Sequence, residues 1–150
     1  MSRIIPGAPQ AMSYDKPLRI SHAFGHIDYG NGNVTTAIRK PRGARFARIV
    51  EICLACVETF TQTTTAAHVL IGTASDDDKF ADLNIGALAN TDAMSTNDDT
   101  DAIKAAGYEI DMNTDGDSGA AISQLEVIFQ APTGGTPAGM AYTTIVIDWY

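Results

Sequence analysis

Histidine and cysteine, from which most transition-metal sites and many nucleophilic centres are built, are scarce in this chain: three His and two Cys in 150 residues. His22 and His26 have an H-x3-H spacing that needs a helix to bring both onto one ligand face, and Gly25 with Asp28-Tyr29-Gly30 argues against a helix there. Surface or packing roles are therefore expected for both, and an enzyme with clustered His and carboxylate ligands is disfavoured. No Ser sits in a G-x-S-x-G elbow, no P-loop occurs, and no G-x-G-x-x-G follows a strand-like run. Catalytic residues and cofactors are accordingly expected to be none. No apolar run approaches the roughly 18 to 20 residues of a membrane helix. Pro6, Gly7 and Pro9 interrupt any secretory h-region near the start, so a soluble chain made in the cytoplasm is expected.

Basic residues are nearly missing after residue 50. Residues 1–50 hold eight Lys or Arg against Asp15 and Asp28, whereas residues 51–150 hold only Lys79 and Lys104 against sixteen acidic residues. The acidic excess, net −8 overall, argues against sequence-independent nucleic-acid binding, which depends on neutralising phosphates. The split suggests either two surfaces with different partners or charges placed unevenly along a solvated surface.

Two local patterns resemble ligand sites. Cys53-Leu54-Ala55-Cys56 has C-x-x-C spacing, but in a strand the two thiols point to opposite faces and no second pair completes a zinc site; two buried free thiols are expected. Asp111, Asn113, Asp115 and Asp117 match the opening D-x-N-x-D-G of a calcium loop, whose hard oxygen donors alternate around the ion. The twelfth position is Ile122 rather than Glu and no flanking helices are evident, so an acidic surface turn is favoured. The Asp76–Asp78 and Asn97–Asp99 runs have ordinary turn composition.

Alternation is what the chain has in abundance. Leu125, Val127 and Phe129 share one face of Gln124–Gln130, and Ile145, Ile147 and Trp149 share one face of Tyr142–Tyr150. The Pro- and Gly-rich run 131–139 between them predicts a hairpin-type connection with a possible contact tip. Phe46–Glu58 is the longest strand expected, with Val50, Ile52, Leu54 and Cys56 on one face and Ile49, Cys53, Ala55 and Val57 on the other; two apolar faces predict a central strand covered on both sides. Further strands are expected at Ala66–Gly72, Lys79–Gly86 and Tyr108–Met112, and a short helix at Asp101–Ala106 capped by Asp99 or Thr100 and ended by Gly107. Gly30-Asn31-Gly32 reads as a hairpin turn. Residues 1–45, broken by Pro and Gly, are expected to form an extended N-terminal arm with short strands at Leu18–Phe24 and Asn33–Arg39, ahead of a body at 46–150. The class is all-β: an antiparallel, jelly-roll-like β-sandwich with at most one short helix.

The runs Ile49–Ile52, Thr63–Thr65 with Val69–Asp76, Lys79–Gly86, Glu126–Gly139 and Ile145–Tyr150 resemble small structural proteins encoded beside tailed-phage capsid genes, over roughly residues 35–150. The resemblance implies a non-enzymatic capsid decoration (cement) protein on the virion exterior, made in the host cytoplasm. It would be a homotrimer whose partners are major capsid protein subunits and itself, with no nucleic acid and no membrane. It also implies that residues 1–45 grip the shell or a neighbouring subunit. Arg3, Arg19, Arg39, Lys40, Arg42 and Trp149 are the contact candidates, Trp149 being a core or interface anchor. The alternative is a carbohydrate- or receptor-binding sandwich of the phage-fibre or lectin type, reading its ligand with the Asp-rich loops and Tyr108 or Tyr142.

Overall fold

The computed structural model describes residues 17–97, 99, 101–114 and 119–150. Arg3, Asp115, Asp117, Thr100 and the first sixteen residues of the expected arm lie outside the described residues. Among the described residues are nine strands: β1 (Leu18–Asp28), β2 (Val34–Arg39), β3 (Phe46–Thr61), β4 (His68–Gly72), β5 (Ala81–Asn84), β6 (Ala93–Ser95), β7 (Ile110–Asp111), β8 (Gln124–Gln130) and β9 (Ala138–Trp149). The first sheet has the order β1-β9-β3-β6 with β7 also on β3, and the second has the order β2-β8-β4-β5. Every pairing is antiparallel.

The pairs nest. β4 meets β5, β3 meets β6 and β7, β2 meets β8, and β1 meets β9. This is one long antiparallel hairpin with its tip at β4–β5, rolled up so that β9 also pairs β3 and β8 also pairs β4. The result is a jelly-roll sandwich. β6 and β7 are two pieces of one line along β3, opposite Cys53–Ala55 and Phe46–Ala47, interrupted by residues 96–109.

The core lies between the sheets. From the first come Ala47, Ile49, Ile52, Leu54, Cys56, Phe60, Ala141, Ile145, Ile147 and Trp149; from the second come Ile38, Val69, Ile71, Ala81, Leu83, Leu125, Val127 and Phe129, all buried. Phe129 takes the edge of Phe24 at 5.4 Å between ring centres, and Tyr29 meets Phe60 edge-on at 5.0 Å. Such contacts knit β1 and the turn after it into the centre of the sandwich.

Several expectations need correction. The run 131–137 does not make a hairpin, because β8 and β9 lie in different sheets and face each other across the core. Alternation identifies a half-buried strand but says nothing of which sheet holds it. The Gly30-Asn31-Gly32 turn is likewise a crossing, a single 3-10 turn at Tyr29–Asn31 capped by the Asp28 carboxylate. β1 and β2 pair with β9 and β8, so residues 18–39 are members of the sandwich's two sheets rather than short strands of a separate extended arm. β3 is covered on one side only, with Ala55 and Val57 exposed. A bulge between Ile49 and Glu51 shifts its phase, putting Ile49 in the core with Ile52, Leu54 and Cys56 and leaving Val50 half-buried. No helix covers 101–106; Ile103 bridges to Ala81 instead, and only a 3-10 turn at Ala105–Gly107 follows, without a side-chain cap.

Candidate functional site

Register sets the two ends of the sandwich apart. At the upper end β1 and β3 begin and β9 finishes, since Leu18 and Ala47 both pair with Trp149. β2 also ends there, because the five-residue crossing after Asp28 starts it at the lower end. The β2–β3 loop, the 73–80 loop and residues 112–114 and 119–123 are therefore neighbours at the upper end.

The β2–β3 loop and the end of β2 carry a cluster of four cations. Arg39 ends β2, exposed; Lys40 donates from Nζ to the Ala44 carbonyl at 3.0 Å, and the Ala44 N–H donates to the Pro41 carbonyl at 3.1 Å. These bonds close a turn that presents Arg42 to solvent. Arg45 lies over the Phe46 ring at 5.1 Å, and Phe46 stacks on Tyr150 at 5.7 Å. The N–H groups of Arg45 and Phe46 both donate to the Tyr150 carbonyl, at 2.9 and 2.7 Å. The loop is thus pinned by β9's end, and among the described residues no carboxylate pairs with Arg39, Arg42 or Arg45.

Arg19 and Trp149 have other roles. Arg19 makes a two-pronged bond to Asp148, Nε to Oδ1 at 2.8 Å and an Nη to Oδ2 at 2.9 Å. The guanidinium holds the Asp148 carboxyl below the usual carboxylate range, with Arg48 adding to the pull. Trp149 is completely buried in this chain's own core, the first of the two places expected for it.

Near the cationic loop, Asp76, Asp77 and Asp78 bring carboxylate oxygens within 4.8 Å of one another. Lys104 Nζ reaches Asp78 Oδ2 at 2.7 Å, and the Asp76 N–H donates to Thr73 Oγ1, so the triplet is shaped as a turn and partly neutralised. Asp111 uses Oδ1 to accept from the Asn113 N–H at 2.9 Å, an Asx turn, while Ile122 is buried; of the expected calcium donors only these two are described. Ile122 separates two shallow clefts, about 340 Å³ beside Thr73–Ser75 and Glu126, and about 270 Å³ beside Phe80, Glu109 and Asp111.

Cys53 stands half-buried on the outer side of β3 and Cys56 inside; both are free. Burial, then the Glu51 carboxylate, pushes the Cys53 thiol up to about 11. Neither thiol is poised as a nucleophile. His26 is exposed and stacks on Tyr142 at 4.0 Å. His68 is hydrogen-bonded to Asp82 on the outside of the second sheet. Tyr142 lies in the lower half of the first sheet, and Tyr108 stands at the upper end, two residues before β7. Sequence reasoning missed Arg45, whose signal was its place beside Phe46 at the start of a strand.

No protein-family model matches the chain, and no curated protein matches it. Among solved structures it is similar to a chain of "Cyanophage Pam1 capsid asymmetric unit", at 12% identity and a TM-score of 0.44, covering 99% of this chain and 93% of that one.

Proposed function

We propose that this chain is a non-enzymatic structural protein of a tailed-phage virion, decorating and stabilising the capsid by binding major capsid protein subunits on the shell's exterior. The observation that carries the reading is the pinned cationic loop, where Arg39, Arg42 and Arg45 have no carboxylate partner among the described residues, at one end of a sandwich in a chain of net charge −8. It complements carboxylates on a partner surface, and the rest of the molecule's acidic excess keeps non-specific anion binding low. An exposed ion pair contributes only up to about 1 kcal/mol, so such a loop holds a partner through repetition. Oligomers that engage several capsid subunits at once multiply those contacts through effective concentration. The sequence resemblance implies three copies per oligomer.

The test is co-sedimentation of the purified chain with empty capsids of major capsid protein. Binding is expected at low salt and should fall at least tenfold for an Arg39→Glu/Arg42→Glu variant whose melting temperature is unchanged. Capsids that leave the wild-type chain in the supernatant at low salt would remove the proposal.

A further inference from the structure

The outer side of the first sheet is a second surface with chemistry of its own. The pairing register lays its residues out in five rows across β1, β9 and β3. From the upper end they are Arg19, Asp148, Arg48; then Ser21, Val146, Glu51; then Ala23, Thr144, Cys53; then His26, Tyr142, Ala55; and last Asp28, Met140, Glu58. β6 extends the third and fourth rows with Ser95 and Ala93. The top row holds two arginines and one Asp, and the bottom row two carboxylates. Between them lie small and apolar side chains, with Glu51 the one carboxylate. Tyr142 stands out from this shelf, 48% exposed.

This order reads as its own complement when reversed. We infer that the outer face of the first sheet binds the same face of a second copy of this chain, about a two-fold axis running across the strands through the third row. That axis exchanges first with fifth row and second with fourth. Arg48 then faces the second copy's Glu58, Arg19 its Asp28, and Tyr142 its Val146. Ala23, Thr144 and Cys53 lie on the axis and meet themselves. Stacked sheets pack about 10 Å apart with strands within about 30° of parallel, a spacing that long Arg and Glu side chains span at the rim. An isologous contact of this kind needs one patch only. Arg48 and Glu58 are both exposed, and neither has an ion-pair partner among the described residues.

The face is roughly 33 Å by 19 Å from strand rise and spacing, on the order of 600 Å² in projection. Stable complexes bury about 800 Å² per partner, so the association should be concentration-dependent. It is independent of what the cationic loop binds. If three copies already join through other surfaces, this face pairs one such ring with another, and either way it doubles the assembly.

Sedimentation equilibrium of the full chain from micromolar to millimolar concentration tests the contact. An even-numbered assembly is expected. Arg48→Glu alone and Glu58→Arg alone should each weaken the doubling at least tenfold, and the combined Arg48→Glu/Glu58→Arg chain should restore it. A short bis-maleimide should join two wild-type chains through Cys53 at high concentration and fail on Cys53→Ser. A monomer or odd-numbered assembly at every concentration, or reversals without effect, would overturn the two-fold face. Loss of capsid binding by the Arg39/Arg42 variant leaves this result untouched, which keeps the two readings separable.

Discussion

At the scale of single residues, the Arg19–Asp148 bond gives the fold its acid sensitivity. Asp148 is buried and its carboxyl is held low by the guanidinium, whereas in the unfolded chain it titrates near the ordinary value of about 3.9. A depressed folded value means a contribution that is complete above about pH 5 and is lost as pH falls through the folded value. Urea titrations from pH 6 to pH 2 should therefore show Asp148→Asn losing less stability than the wild type on acidification, while being less stable at pH 6. Parallel pH slopes for the two chains would show that the pair contributes nothing. The pair was not legible beforehand: Arg19 and Asp148 stand 129 positions apart, and only the register of β1 on β9 brings them together. Opposed thiols were legible, because a C-x-x-C inside an alternating run cannot turn both side chains to one ligand, but only Cys56 is buried as expected and Cys53 is half-buried on the outer face.

Elements were legible where alternation is unbroken. Gln124–Gln130 forms β8 with the expected bounds, and Leu125, Val127 and Phe129 point inward as expected. Bulges hid the rest. β1 continues to Asp28, but the shift between Ala23 and Gly25, where Gly25 takes φ +68°, moves Ile27 out of phase with Ile20 and Phe24. β9 starts earlier than alternation suggested, at Ala138, through a glycine with a steric purpose. Gly139 has φ +146°, and a Cβ there would come 2.3 Å from the Phe60 ring. Gly139→Ala should cost about 2–4 kcal/mol by combining a strained backbone with overpacking. Phe60→Leu in the same chain should recover part of that loss, measured by chemical denaturation. A Gly139→Ala chain as stable as wild type would show that this junction yields easily.

At the scale of the whole molecule, the all-β sandwich was legible and its wiring was not. Sheet membership depends on which inward faces meet, as with Leu125–Phe129 against Ile145–Trp149, and local patterns carry no such information. The charge split behaved the same way. Arg39, Arg42 and Arg45 come to the same end of the sandwich as Asp76–Asp78 and Glu109–Asp111, although they come from opposite halves of the charge count.

The nesting of pairs has a kinetic consequence. Joining β1 to β9 directly means closing a loop of more than a hundred residues, from Asp28 to Met140. After β4–β5, β3–β6 and β2–β8 have formed, the same step closes only the five residues 29–33 and the seven residues 131–137. The difference in loop entropy is about 2 kcal/mol in favour of the ordered route. Folding should therefore zip outward from the tip, and pulse-labelled hydrogen exchange should find amides of Val69–Ile71 and Ala81–Leu83 protected before those of Ile20–Ala23; the reverse order would exclude the zipper. A fold whose partners lie so far apart along the chain thus need not be a slow one, because each closure shortens the search for the next.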